Sequence, residues 1–215
     1  MTRRSDLVRN AIDELIRENE TMNQPNLHAP DWSSIPAPVD DGGARHLTGA
    51  KIPPVALPAT DSSVVTLSSI PGRVVLFAYP RTGEPGKIAL VEDWDEIPGA
   101  RGCTPHTCAF RDLIGELKAA GAAHVFGLST QDTDYQREMT ERLHVPFPVL
   151  SDSELKLTKA MNLPTMEVAG LTMIKRIAFI IDDAVITHVF YPVFPPDRNA
   201  GDVLAWLKAN PRQAR

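Results

Sequence analysis

Cys103 and Cys108 are the only cysteines in the 215-residue chain, and they lie five positions apart in Gly102-Cys103-Thr104-Pro105-His106-Thr107-Cys108-Ala109-Phe110-Arg111-Asp112. Two cysteines placed together in a chain of this length point to thiol chemistry rather than to a disulfide scaffold. Two other readings stay open on the residues alone. Cysteines in a reducing compartment are often small buried apolar residues with no chemistry. Cys103, His106 and Cys108 are also possible metal ligands, although the run lacks Cys-x2-Cys pairs and the further ligands that a closed zinc site needs.

The elements around the pair bear on which thiol is activated. Phe110, Leu113, Ile114 and Leu117 recur at helical spacing and Gly121 offers a stop, so the pattern predicts a helix over 104–120. Pro105 is tolerated in a first turn, where its missing N–H has no intrahelical partner to lose. Cys103 then stands at or just before the helix N-terminus. There the macrodipole and free N–H groups favour an anion and lower a thiol pKa. Cys108 falls inside the helix, about 140° around the axis, with its Cα roughly 8–9 Å from that of Cys103. A disulfide needs Cα atoms within about 7 Å, so the first turn would have to unwind before the sulfurs joined. The spacing suits one thiol that reacts while the helix is folded and a second that follows after local unfolding.

Away from the pair the chain reads as alternating strands and helices. Strands are expected at 64–67, 73–79 and 124–129, and helices at 132–143 and 153–162, the latter ended by Asn162 or Pro164. Strands at 171–181 and 184–191 form a hairpin through Asp182-Asp183, and 201–209 is a closing helix. This order predicts the α/β class, with a mixed central β-sheet flanked by helices. The chain divides into an N-terminal helix and extended arm, 1–45, and a domain, 46–215. Leu7, Val8, Ala11, Ile12, Leu15 and Ile16 set an amphipathic helix over 5–20. Residues 21–45, with Gln24-Pro25-Asn26 and Asp40-Asp41-Gly42-Gly43, read as an arm. It is either a tether on the domain surface or an element for dimerisation or partner binding.

Gly102-Cys103-Thr104 with Cys108 and Phe110-Arg111-Asp112 resembles the peroxiredoxins, specifically the bacterioferritin-comigratory-protein or Q type. The motif there reads Gly-Cys-Thr-x-x-x-Cys-x-Phe/Leu-Arg-Asp. Val74-Val75-Leu76-Phe77-Ala78-Tyr79-Pro80 resembles the apolar strand that ends in Tyr-Pro before the active site. Val125-Phe126-Gly127-Leu128-Ser129-Thr130 and Phe147-Pro148-Val149-Leu150-Ser151-Asp152 are similar to the family's next strand and to its Phe-Pro-Leu-Leu-Ser-Asp segment. Lys175-Arg176-Ile177-Ala178-Phe179-Ile180-Ile181-Asp182 is similar to the strand bearing the active-site arginine. The matches fall in order over about residues 46 to 210.

The resemblance implies a thioredoxin-like fold, no cofactor and no metal. It implies that Cys103 is the peroxidatic thiolate, attacking hydrogen peroxide or an organic hydroperoxide and becoming a sulfenic acid. Cys108 would resolve it as an intramolecular disulfide, recycled by thioredoxin or a glutaredoxin-type dithiol. Arg176 would keep Cys103 ionised and polarise the peroxide. Without the resemblance, Arg176 reads as a strand-end residue in a surface salt bridge.

Two departures stand out. The family has Pro-x-x-x-Thr-x-x-Cys at the site, whereas here twenty-two residues separate Pro80 from Cys103 and Ala100 lies three before the cysteine. An insertion of about sixteen residues, roughly Gly83 to Pro98, accounts for this and leaves Thr82 as the candidate hydroxyl, with Thr104 as the alternative. Trp94 and Ile97 in the inserted loop are candidates to cover the pocket. His106 stands where the family often has Gln; it reads as a protonated aid to the thiolate or as a solvent-facing residue.

Composition narrows the rest. A net charge of −5 and a pI near 5.7 provide no basic footprint for nucleic acid. No apolar run approaches the roughly 20 residues that span a bilayer. Arg3-Arg4 is not followed by the apolar core of a secretion signal, so the expected location is cytoplasmic. The expected partners are a hydroperoxide and a dithiol reductant, with no nucleic acid and no membrane, and the chain acts as a monomer or homodimer. Two other function classes compete. A thioredoxin-like disulfide oxidoreductase would use Cys-x-x-Cys, which is absent; a non-catalytic redox-sensing module would use the same thiols as a switch.

Overall fold

The computed structural model describes residues 31–212, so the helix expected over 5–20 and the first part of the arm, 21–30, lie outside the described residues. In chain order the elements are β1 (Ala56–Pro58), β2 (Val64–Thr66), β3 (Arg73–Ala78), α1 (Cys103–Asp112), α2 (Ile114–Ala119), β4 (His124–Ser129) and α3 (Thr133–Arg142). Then come β5 (Val149–Ser151), α4 (Lys156–Met161), β6 (Thr165–Val168), β7 (Leu171–Ile174), β8 (Ile177–Asp182), β9 (Val185–Phe190) and α5 (Asn199–Ala209). The central sheet runs β5-β4-β3-β8-β9. β3, β4 and β5 are parallel, while β8 and β9 return antiparallel. Two short antiparallel pairs, β1–β2 and β6–β7, flank it. This is the expected α/β architecture of thioredoxin-like type, a mixed sheet flanked by helices.

β3 holds the centre because all six of its residues are buried. A continuous apolar run suits a strand covered on both faces, and alternation deals its side chains to two cores. Val74, Leu76 and Ala78 join Leu128, Leu150, Phe179 and Ile181 on one face, with Leu157 of α4. Val75 and Phe77, followed by Tyr79, join Cys103 and Phe110 of α1, Leu117 of α2, and Val203 and Leu207 of α5 on the other. Phe77 stacks on Phe110 with ring centroids 4.1 Å apart and an interplanar angle of 3°. That contact fixes α1 against the sheet two turns beyond Cys103. Burying such a ring contributes about 1.5–3 kcal/mol.

Several expected elements change. The helix over 104–120 is two helices: Leu113, at φ −96° and ψ 6°, ends α1 and precedes α2. Apolar spacing continues through this bend because both helices face the same core, so periodicity alone does not register it. The strand expected over 171–181 is likewise broken at Lys175-Arg176, where β7 ends and β8 begins. Its N-terminal half pairs with β6, and its C-terminal half pairs with β3. β1, β5 and β6 are three or four residues long, too short for a periodicity signal. The Asp182-Asp183 turn closes the expected hairpin, with Asp183 and Ala184 at φ 48° and 66°. Asn162, left-handed at φ 48°, is the stop for α4.

Just after the arm, at the start of the domain, residues 49–52 run along the sheet margin. Gly49 N donates to Ile186 O at 2.7 Å, Ile52 N to Ala184 O at 2.8 Å, and Ile186 N to Ala50 O at 2.9 Å. These bonds occupy polar groups of the edge strand β9 that would otherwise stand unpaired. Asp41 accepts from Lys175 Nζ at 2.6 Å and from the Tyr191 hydroxyl at 2.7 Å. Among the described residues no helix is long and apolar enough to cross a membrane.

Candidate active site

Cys103 is the first residue of α1, and Gly102 before it is left-handed at φ 101°. A Cβ at Gly102 would lie 2.6 Å from both Pro196 Cγ and Trp32 Cη2, so glycine is required for space as well as for backbone angle. The Cys103 side chain is buried, and its Sγ lies 3.5 Å from Ala100 O and 3.2 Å from Arg176 Nη2. Helix N-terminus and guanidinium together set positive potential at one sulfur. Thr107 Oγ1 donates back to Cys103 O at 3.0 Å, tightening this first turn.

Arg176 occupies the break between β7 and β8, which lets its backbone leave the ladder and its side chain turn inward; it is 2% exposed. Among the described residues it forms no surface salt bridge of the kind its residue type alone would favour. Nη2 is also within reach of Gly99 O at 3.3 Å, Ala100 O at 3.3 Å and Arg101 O at 3.0 Å, so its two protons are shared among these carbonyls and the sulfur. These carbonyls lie just after the inserted segment, in the turn into α1. The guanidinium thus ties the turn into α1 and the sheet to one point.

His106 corrects both expectations made for it. It is completely buried, so it does not face solvent, and it is neutral. Arginine can only donate, so Arg176 Nη1, 3.1 Å away, donates to Nδ1. The ring proton is therefore on Nε2, which donates to Asn199 Oδ1 at 2.9 Å. Burial, then the Arg176 charge, hold its pKa well below the usual histidine value. Both ring nitrogens are committed, which leaves no lone pair for the metal reading. His106 and Asn199 act by positioning Arg176.

A family profile for Redoxin matches residues 47–204. The chain is 32% identical over 161 residues to peroxiredoxin Bcp of Escherichia coli, covering 73% of this chain and 92% of that one. The chain belongs to the Redoxin family, in its peroxiredoxin Q/Bcp branch. It is also 31% identical over 163 residues to the chloroplastic peroxiredoxin Q of Oryza sativa subsp. japonica. That match takes in 75% of this chain and 66% of the rice protein, just under two thirds of its length. Among solved structures, peroxidoxin BcpB of Mycobacterium tuberculosis superposes with a TM-score of 0.61 at 29% identity, over 77% of this chain and 98% of that one.

In this peroxiredoxin, Cys103 and Arg176 meet, but the other expected site residues do not join them in the same way. Thr82 is buried, and its hydroxyl donates to Gln131 Oε1 at 3.1 Å while its N–H donates to the same oxygen at 2.9 Å. Gln131 Nε2 returns a bond to Thr82 O at 3.2 Å. Thr104 is half-buried on the first turn of α1. Cys108 is half-buried at the sixth position of the same helix, and both thiols are free. Burial pushes the Cys108 thiol pKa up, against the opposing pull of Arg111. Of the inserted-loop residues expected to cover the pocket, Trp94 and Ile97 are half-buried, while Pro98 and Gly99 line a cavity with Arg176.

Residue patterns alone miss Asn199 and Gln131, because each reaches its partner across a long sequence separation. They also miss Trp32, in the arm, which packs over Gly102 and donates from Nε1 to Asp197 Oδ2 at 2.9 Å. Only the substitution of His for Gln in the motif hinted at the His106 network.

The buried neutral His106 has a pH consequence. In the unfolded chain it takes up a proton near pH 6.5, and in the folded chain it resists doing so. Its share of stability is therefore present above that value and is lost as pH falls. Between pH 7.5 and 5 the wild type is expected to lose up to about 2 kcal/mol more than His106→Gln, at about 1.4 kcal/mol per pH unit. Urea unfolding of both proteins at the two pH values measures this. Equal losses would show that the histidine is not held neutral.

Proposed function

We propose that this peroxiredoxin reduces hydrogen peroxide and organic hydroperoxides through the Cys103 thiolate. The observation that carries the reading is Arg176 Nη2 at 3.2 Å from Cys103 Sγ, at the N-terminus of α1. A permanent cation at hydrogen-bond distance from a sulfur complements the negative charge of the nucleophilic form. Among the described residues no cation hydrogen-bonds Cys108, and its burial favours the thiol against the more distant pull of Arg111 and Arg142. Cys103 is therefore the attacking sulfur and Cys108 the resolving one. Thr82 enters this reading as an acceptor only, because its proton is committed to Gln131.

The cycle then needs the start of α1 to open. Cys103 and Cys108 stand first and sixth in one helix, roughly 8–9 Å apart at Cα for a regular helix, beyond the about 7 Å a disulfide spans. Closing the bridge requires breaking His106 N to Gly102 O, 3.0 Å, and Thr107 Oγ1 to Cys103 O, 3.0 Å. Opening also exposes Cys108, removing the burial that holds it as a thiol. The disulfide is returned to thiols by exchange with thioredoxin or a glutaredoxin-type dithiol. Two free cysteines fit a reducing compartment, and we read the location as cytoplasmic. A cavity of about 90 Å³ beside Arg176, with Pro38, Val39, Met166 and Pro192 in its wall, supports acceptance of a small alkyl group.

The test is the mass and peptide map of reduced protein after one equivalent of hydrogen peroxide. The wild type is expected to lose two hydrogens and yield a Cys103–Cys108 peptide that thioredoxin reverses. Cys108→Ser should stop at Cys103 plus one oxygen, and Cys103→Ser should remain unmodified. Both thiols still alkylatable in the wild type after minutes would overturn the peroxidase reading. An initial burst lost in Cys108→Ser would reverse the roles.

A further inference from the structure

Two buried polar atoms near Cys103 have no hydrogen-bond partner: the Tyr79 hydroxyl and Arg176 Nε. Buried donors are rarely left unpaired, because the lost water is not replaced. Tyr79 follows β3 on the face of Val75 and Phe77, so its ring enters the core that holds Cys103. It is completely buried, and its hydroxyl lies within electrostatic reach of both Cys103 and Arg176. Two unpaired donors therefore lie in or beside the core that holds the Cys103 sulfur, while the expected hydroxyl of Thr82 is spent on Gln131.

We propose that Tyr79 is a catalytic residue, whose hydroxyl donates a hydrogen bond to the leaving oxygen of the bound hydroperoxide. This rests on the peroxidase reading above. Arg176 touches the sulfur, so its Nε–H serves the attacked oxygen, and Tyr79 is the donor left for the distal one. As the S–O bond forms, the O–O bond breaks and its electron pair goes to the distal oxygen. The attacked oxygen keeps its hydrogen and becomes the sulfenic acid, S–OH. The distal oxygen, stabilised by Tyr79 as charge develops, takes a proton from solvent and departs as water or alcohol. Sulfur is oxidised by two electrons and the peroxide is reduced by two. Tyr79 retains its own proton throughout: burial first, then the neighbouring Cys103 charge, push its pKa far up, so it stays a neutral donor.

The test compares wild type and Tyr79→Phe in single-turnover oxidation of Cys103 by hydrogen peroxide, tert-butyl hydroperoxide and peracetic acid. Iodoacetamide alkylation of Cys103 and thermal unfolding are measured alongside. Tyr79→Phe is expected to slow hydrogen peroxide and tert-butyl hydroperoxide by about 10- to 100-fold. Peracetic acid, whose acetate leaves easily, should slow by less than about threefold, since little charge on the leaving oxygen needs a donor. Alkylation should be unchanged, and Tm unchanged or raised, because an unpaired hydroxyl leaves the core. Equal slowing of all three peroxides, parallel slowing of alkylation, or no slowing at all would overturn the assignment. A wild-type protein inert toward all three would overturn the peroxidase reading and this assignment with it.

Discussion

Arg176→Met is expected to slow the first oxidation of Cys103 by hydrogen peroxide by about 10³-fold. The guanidinium is a permanent cation at the sulfur, and it reaches Cys103 Sγ, His106 Nδ1 and the carbonyls of Gly99, Ala100 and Arg101 from a single buried position. Methionine fills much of the volume but provides neither charge nor donors. Arg176→Lys should also fail, by at least about 10²-fold, because one ammonium cannot cover a planar fork of acceptors. Asn199→Ala is a milder member of the series, since it frees His106 Nε2 without touching the sulfur. Stopped-flow oxidation with circular dichroism as a folding control measures all three. A folded Arg176→Met protein reacting within about threefold of wild type would remove the arginine from the mechanism.

Gly102→Ala is expected to damage both stability and rate. A left-handed L-residue costs roughly 1–2 kcal/mol. Forcing its Cβ against Pro196 and Trp32, both at 2.6 Å, adds about 1–3 kcal/mol more. The combined loss of about 2–5 kcal/mol corresponds to a Tm lower by roughly 5–15 °C in a chain of this size. The strain is relieved most cheaply by moving the start of α1, which carries Cys103. A displacement of about 1 Å there is enough to slow peroxide attack by about 10²-fold. Trp32→Ala in the same chain should restore the Trp32 part of the packing share but neither the Pro196 contact nor the backbone share. A double-mutant cycle separates the two. Full rescue by Trp32→Ala would show that the left-handed angle is not required.

The two arguments converge on the turn from Gly99 to Cys103. It receives Arg176 from the sheet, Trp32 from the arm and Pro196 from the segment before α5. The arm expected as a tether or partner-binding element therefore reaches the turn before Cys103 directly in its described part. Any opening of α1 that joins Cys103 to Cys108 must work against these contacts.

Much of this was legible from residue order. Strand 124–129 matches β4 to the residue, and the apolar run at 73–79 contains β3, because burial on both faces writes itself as uninterrupted hydrophobicity. The cysteine pair and its placement at a helix start were local signals, whereas Arg176 was singled out only through the family resemblance. The insertion between Pro80 and Cys103 was a matter of counting.

Other features had no local signature. The bend at Leu113 and the break at Lys175-Arg176 interrupt runs whose apolar spacing continues unbroken. Packing against two different neighbours, rather than propensity, ends those elements. His106 could be read as charged or exposed only while its surroundings were unknown. Its neutrality follows from burial and from a guanidinium 70 positions away in sequence, with Asn199 a further 23 beyond that. Tyr79 looked like the end of a hydrophobic strand, and only its burial beside the thiol reveals an unpaired hydroxyl. The sequence by itself determined the fold class, the family resemblance and the pair of thiols set at a helix start, because these depend on residue type and short-range order. The tertiary structure alone decided which groups face those atoms and in which protonation state, because those depend on distances across the fold and on exclusion of water.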